Sequence, residues 1–311
     1  MSNLQVNKHL YYPLTPSEAK ICGLSLDGRH RFTPPHITCD FCALGGVIVG
    51  DTVLYVPTKK GQEYHQRTEP NVLFYGGRGS AKSTTGRWDA HLRALSHPGY
   101  SYVILRRTYP ELQRSHLVHI NYEMKMLGGT FHHTDRVATY PNGSKGFFSH
   151  CQSEEDVLKL LSAEFALAVF DELTTFDWEM FLKLAASVRV AVGSGLIAMV
   201  RGLTNPLGPS AAEVMQYFVS KDIDHEEDPD YNPNDWYAIK ANIEDNPHID
   251  RGQYVKRFAG LSLSVRKAWV DGDFSNEDAL FDFRPFKDGK PYHVIHELPE
   301  LSDRVILAQT W

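Results

Sequence analysis

A mostly parallel α/β sheet flanked by helices is the fold that this 311-residue sequence predicts. Three observations predict it. The apolar run Val72-Leu73-Phe74-Tyr75 leads straight into a glycine-rich turn and then a segment with Trp88, Leu92 and Leu95 at helical spacing. A second apolar run, 166–170, ends in two acids, and a third, 196–203, ends in a hydroxyl and an amide. Buried strands that end in polar residues are what a parallel sheet presents at its carboxyl edge, where ligands bind in open α/β folds.

Residues 1–60 are rich in proline, glycine and histidine, with poor periodicity, and are expected to pack as an N-terminal extension on the core or to dock a partner. Cys39 and Cys42 form a CxxC with His30 and His36 upstream. Those four could hold zinc, or the two thiols could simply be small buried side chains in a loop-rich segment.

Residues 61–220 read as the core domain. The stretch Gly76-Gly77-Arg78-Gly79-Ser80-Ala81-Lys82-Ser83, with Thr84 after it, sits between strand and helix as a phosphate-binding loop must. Successive backbone N–H groups there face a phosphate, and the dipole of the new helix favours its charge. Lys82 adds a point charge on the β- and γ-phosphates, and the Ser83 hydroxyl is placed for Mg²⁺. Ala81 stands where the usual pattern has glycine; its single methyl group leaves close phosphate approach possible. Shortly upstream, Gln62 or Gln66 could read the Watson–Crick edge of an adenine with an amide that both donates and accepts. Gln62 is the preferred candidate, with an ordinary exposed glutamine as the alternative.

The run 100–105 predicts a buried strand ending in Arg106-Arg107. Residues 110–127 predict a helix, opened by Pro110-Glu111 and closed by Gly128-Gly129, and short strands follow near 130–133, 137–140 and 146–149. The run Ala166-Leu167-Ala168-Val169-Phe170 then delivers Asp171 and Glu172. Asp171 is the candidate Mg²⁺ residue, and Glu172 the general base for a water attacking the γ-phosphate. An acidic helix N-cap is the plain alternative. Adjacent Asp-Glu together with an extra central strand marks a P-loop NTPase of the additional-strand, catalytic-glutamate type. That points to an ATPase rather than a GTPase or a small-molecule kinase. Thr204 and Asn205, at the end of the third run, are placed to contact the γ-phosphate or the lytic water and so to sense hydrolysis; a turn opened by Asn205-Pro206 is the alternative.

Residues 221–285 predict a small C-terminal lid. It begins with the acidic, proline-rich stretch 225–235, which reads as an exposed loop, and continues through Trp236–Ile243 and helical stretches over 250–269. Arg251, Lys256, Arg257, Arg266 and Lys267 give the lid a basic face, readable as DNA contact or as a solvated helix surface. The formal net charge of −6 argues against a broadly basic, nucleic-acid-coating surface. No apolar run is long enough to span a membrane, no secretory signal opens the chain, and four irregularly spaced cysteines suit a reducing cytosol.

In combination, GGRGSAKS at 76–83, ILRRTYPEL at 104–112, FDE at 170–172 and LTNP at 203–206 resemble the ATPase domain of the large terminase subunit of tailed bacteriophages. The stretches EDNP at 244–247 and WVDGDF at 269–274 extend the resemblance over roughly residues 60–285. It implies a motor that uses ATP and Mg²⁺ to drive double-stranded DNA into a procapsid. By the same resemblance the motor works as a homo-oligomeric ring on the portal protein, guided by a small terminase subunit, in the cytoplasm of an infected bacterial host. Arg78 would contact the γ-phosphate from within the loop, and a neighbouring subunit would supply a second arginine, with Arg136 and Arg189 as candidates. Residues 286–311 would be a linker toward a nuclease domain that this chain has no length to hold. A helicase-like ATPase is the nearest rival. A non-hydrolysing nucleotide-binding assembly protein is the more distant one, disfavoured because a pure binding module needs no general base.

Overall fold

The computed structural model describes residues 52–224, 228–247 and 249–274, together with the strands at 10–13, 29–32 and 47–49. His36, Cys39, Cys42 and the expected linker 286–311 lie outside the described residues, as does the side chain of His30. In the N-terminal part, β1 (Leu10–Pro13) pairs antiparallel with β2 (Arg29–Phe32), and β3 (Val47–Val49) with β4 (Thr52–Tyr55). Among the described residues no helix is long and apolar enough to cross a membrane.

Eight strands make the central sheet. They are β5 (Asn71–Tyr75), β6 (Ser101–Arg106), β7 (Thr130–His132), β8 (Val137–Thr139), β9 (Lys145–His150), β10 (Leu167–Asp171), β11 (Met199–Thr204) and β12 (Trp236–Lys240). Their order is β12-β5-β11-β10-β6-β9-β8-β7, parallel from β12 to β9 and antiparallel at β8 and β7. All five residues of β10 are buried because helices cover both faces of the sheet. Leu167 and Val169 join one core cluster and Ala168 and Phe170 the other, as the period of two requires.

The first face is covered by α1 (Lys59–His65), α2 (Lys82–Ser96) and a long helical run. That run comprises α3 (Tyr109–Leu112), a widened π-type turn Gln113–Leu117 and α4 (Val118–Met126), close to the expected 110–127. A Thr108–Glu111 capping box starts it. The second face is covered by α5 (Glu154–Leu161) and α6 (Trp178–Ala186), through Val157, Met180, Phe181 and Leu184. Helix α2 seats close to β11: a Cβ at Gly86 would stand 2.3 Å from Leu203 Cδ1, so any larger residue there must push the buried Leu203 side chain aside.

One expectation needs correction. Trp236–Ile243 is not lid: Trp236–Lys240 is the edge strand β12, in parallel register with β5, so the sheet extends past residue 220. The strand follows directly on the acidic, proline-rich stretch 225–235, which is why the sequence reading placed it in the lid. The extra central strand is β11, which lies between β5 and β10, while β6 flanks the far side of β10. That arrangement brings the carboxyl ends of β5, β11 and β10 side by side.

Candidate active site

The loop after β5 turns into α2 at Ala81, which takes a left-handed conformation (φ 65°, ψ 20°). The usual glycine of this pattern is thus explained by backbone geometry as well as by space, since left-handed backbone is unfavourable for a residue carrying Cβ. Helix α2 has no side-chain cap and no acid in its first turn, so its leading N–H groups are left for an anion. Lys82 is buried, with Nζ 2.7 Å from Gly77 O, 3.1 Å from Gly76 O and Ser80 Oγ, and 2.9 Å from Asn205 Oδ1. Burial brings its pKa down to about 8, while the nearby Glu172 and Asp171 resist that fall.

Asp171 ends β10 with both carboxylate oxygens engaged. Ser83 Oγ donates to Oδ1 at 3.0 Å. On Oδ2, Arg106 donates at 3.0 Å and His116 Nε2 at 2.9 Å. Burial opposes ionisation of this carboxyl, but Arg106, His116 and Ser83 outweigh it and hold its pKa below the ordinary range. Glu172, the next residue, is also left-handed (φ 60°, ψ 54°), a strained conformation that turns its side chain away from that of Asp171. Its carboxylate accepts from Asn205 Nδ2 at 3.1 Å and from the Asn205 N–H at 3.3 Å. Burial first, and the Asp171 charge second, raise its pKa.

Asn205 therefore ties the loop lysine to the second acid through one amide group. Thr204 lies elsewhere. Successive residues of an extended chain point to opposite sides, and the Thr204 hydroxyl is buried against Thr174 Oγ1 at 2.7 Å. It anchors the end of β11 to the segment after β10 and does not face the cleft. The γ-phosphate contact expected of Thr204 is corrected accordingly, and Asn205 keeps that position.

A cleft of about 750 Å³ opens over these groups. Its floor is Arg78–Thr85 with Glu172 and Asn205, and one wall is Leu54, Tyr55, Val56 and Thr58. Tyr55 is fixed by stacking on Trp88 (centroids 5.1 Å apart) and by a hydrogen bond with His65 Nε2 at 2.9 Å. Gln62 lies in α1, half-buried, outside the lining residues; Gln66 is exposed past the end of the helix. The cleft presents Leu54–Thr58 on the side nearest α1. Gly76 and Gly77 also lie below the lining: their carbonyls hold Lys82, and their backbone is covered by Ala241 and Val270.

The opposite wall is formed by residues of the remaining lid segment before and within α7 (Arg251–Lys256), which continues into α8 (Leu263–Arg266) and the turn Lys267–Asp271. Asn246, Ile249 and Tyr254 line the cleft. Asn242 Oδ1 accepts from Gly77 N–H at 3.1 Å, Asn246 Nδ2 donates to Gly79 O at 2.6 Å, and Arg78 N–H donates to Trp269 O at 2.6 Å. The Arg78 guanidinium lies on the Trp269 indole, 3.7 Å from its centroid. Sequence reading singled out the stretches 244–247 and 269–274 but assigned them no role; their role is to grip the phosphate loop.

Neither candidate for the second arginine reaches this site. Arg189 is exposed and paired with Glu164 at 3.0 Å, beside the amino end of β10. Arg136 stands in the β7–β8 turn, over the Tyr109 ring at 5.5 Å. An arginine that acts across a subunit boundary would leave no mark within a single chain.

The oxygen donors fit magnesium. Ser83 Oγ and Asp171 Oδ1 are adjacent and carry no competing nitrogen or sulfur, which suits a hard cation that completes its shell with water and phosphate oxygens.

The family model described as phage terminase large subunit matches residues 69–267. Among solved structures, the fold resembles the large terminase of a thermophilic bacteriophage, at 13% identity and a TM-score of 0.57, covering 70% of this chain and 53% of that one. Another crystal form of that protein, in complex with ADP, matches at 14% identity and a TM-score of 0.53 over 70% and 53% of the two chains. The large terminase ATPase domain of Thermus phage P74-26 matches at 15% identity and a TM-score of 0.54 over 71% and 95%. The chain thus spans about half the length of the first of these proteins and nearly all of the P74-26 domain. No curated protein matches it.

Proposed function

The chain belongs to the phage terminase large subunit family, and on that premise we propose that it is the Mg²⁺-dependent ATPase of a motor that drives double-stranded DNA into a procapsid. The observation that carries this reading is the Lys82–Asn205–Glu172 linkage at the end of three adjacent parallel strands. It sets a cation for phosphate and a carboxylate with raised pKa on the two sides of one amide, at the floor of a cleft of nucleotide size. A binding module would need the first of these and not the second. That the similar large terminase of the thermophilic bacteriophage forms a complex with ADP supports nucleotide as the ligand.

In the proposed cycle, the N–H groups of the loop and the first turn of α2 hold the β-phosphate. Lys82 exchanges its contacts with Gly76, Gly77 and Asn205 for phosphate oxygens. Ser83 and Asp171 would hold magnesium, which would supply neutralisation of the phosphate charge. Glu172, oriented by Asn205, takes the proton of the attacking water. Arg78 leaves Trp269 for the γ-phosphate, and its return after phosphate release, together with the Asn242 and Asn246 contacts, moves the lid segment against the loop. The partners proposed for the working motor are duplex DNA, the portal of a procapsid, a small terminase subunit and further copies of this chain in a ring, in the cytoplasm of an infected bacterium.

Steady-state ATP hydrolysis with and without linear duplex DNA, alongside a forked-duplex unwinding assay, tests the proposal. Magnesium-dependent hydrolysis stimulated by duplex, without strand separation, is the expected result. Strand separation would instead make the protein a helicase, and nucleotide binding without any hydrolysis would make it an assembly protein.

A further inference from the structure

The proposed cycle uses Asp171 but says nothing of the two groups that occupy its other oxygen. His116 is fully buried, and it lies in the π-type turn Gln113–Leu117 that widens the helical run between α3 and α4. Such single widened turns concentrate at functional sites, because they re-aim one side chain out of the regular helical register. An ionised carboxylate has no proton to give, so the 2.9 Å contact requires His116 to donate from Nε2. Its Nδ1 is buried and has no hydrogen-bond partner. The bare nitrogen costs free energy in the core, so volume alone, which a phenylalanine or leucine would fill as well, does not account for a histidine here.

The helix that carries His116 is itself fixed. Arg87, one turn into the phosphate-loop helix α2, makes a two-pronged contact with Glu123 of α4 at 2.8 and 2.9 Å and donates to Ser115 O, beside His116, at 3.3 Å. His91 of α2 donates to the same carboxylate at 3.2 Å and accepts from Tyr140. The position of His116 is thereby locked to the helix whose first turn presents Ser83.

We propose that His116 and Arg106 are positioning residues that hold Oδ2 of Asp171, so that Oδ1, beside Ser83 Oγ, is the carboxylate oxygen presented to the divalent cation. The inference rests on the active-site reading above and deepens it. With Oδ2 taken by two donors, the carboxylate cannot rotate to offer its other oxygen or to chelate with both. One carboxylate oxygen and one hydroxyl then face the cation, a partial shell that leaves the remaining positions for water and phosphate. Hydrogen bonds to a ligating carboxylate orient it in this way, and losing such a partner typically costs about 10- to 100-fold in metal affinity.

Mn²⁺ binding in the presence of saturating ADP, followed by electron paramagnetic resonance, is the test, because it reads the cation directly and needs no turnover. His116→Phe keeps the volume and removes the donor; it should weaken Mn²⁺ binding about tenfold or more, while metal-free ADP affinity, measured in EDTA, stays at the wild-type level. His116→Gln places an amide N–H near the same point and should recover most of the loss, which a purely structural histidine would not show. Arg106→Met removes the other donor and should also weaken Mn²⁺, which keeps the inference testable if His116→Phe fails to fold. Wild-type Mn²⁺ affinity in a folded His116→Phe or Arg106→Met protein would overturn it. Absence of ADP-dependent Mn²⁺ binding by the wild type would overturn the active-site reading itself, and this inference with it.

Discussion

Replacing Asn205 by alanine separates the two halves of the catalytic linkage. The substitution removes the Nδ2 donor to Glu172, 3.1 Å away, and the Oδ1 acceptor for Lys82, 2.9 Å away, but spares the backbone N–H to Glu172. Lys82 retains Gly76 O, Gly77 O and Ser80 Oγ within reach, so phosphate binding should suffer little. Glu172 loses one of its two donors. A hydrogen bond to a charged group is worth about 1.5–3 kcal/mol, which corresponds to about 10- to 100-fold in rate if the bond orients the base. The expected outcome in a steady-state phosphate-release assay is a fall in kcat of that size, with KM for ATP within about threefold of wild type. Asn205→Asp keeps the shape but sets a second carboxylate against Glu172, and should lose at least as much. A folded Asn205→Ala protein with unchanged kcat would refute the reasoning, since the amide would then be a packing group and the linkage incidental.

Three further outcomes are expected. Ala81→Gly should raise the melting temperature slightly, by ~1–3 °C in a thermal-shift assay, because relief of left-handed strain exceeds the added chain entropy by about 0.5–1 kcal/mol. Gly272→Ala should cost about 2–4 kcal/mol and weaken ADP binding in calorimetry. Its φ is 65° and its Cβ would lie 2.5 Å from Gly76 Cα, so the phosphate loop itself must shift. The third concerns acid. Burial would raise the pKa of Glu123, but His91 and Arg87 outweigh it and bring it from 4.5 to about 2. A depressed folded-state value means stability that is present above the unfolded pKa and lost as pH falls toward the folded one. Urea unfolding should therefore show wild type ahead of Glu123→Gln by about 3 kcal/mol at neutral pH, with the gap closing as pH drops below about 4.5. A gap that does not change with pH would contradict the assignment.

The parts of the site that the sequence disclosed are those built from contiguous residues. A strand, a glycine-rich turn and a helix form one local unit, and an apolar run ending in two acids fixes where Asp171 and Glu172 emerge. Strand β10 was legible because burial on both faces demands an unbroken apolar run, and β11 because Arg201 alone interrupts the run 196–203. What stayed hidden depends on contacts between distant segments. His116 is 55 positions from Asp171, and only the widened turn aims it there. Asn242 and Asn246 meet the loop across more than 160 positions, and although Asn246 lies in the EDNP stretch at 244–247, nothing in the sequence shows that either amide reaches the loop. Thr204 was misjudged for a different reason: adjacent polar residues at a strand end were read as a pair, although alternation sends only one of them into the cleft.

The most direct measurement of the central claim is ATP hydrolysis and nucleotide binding by the Glu172→Gln protein beside wild type. The account predicts that hydrolysis falls by roughly 10²-fold or more, as for loss of a positioned general base, while ATP still binds with near wild-type affinity because loop, Lys82 and Ser83 are untouched. Equal hydrolysis by the two proteins would contradict it, and would remove Glu172, and the linkage through Asn205, from the chemistry.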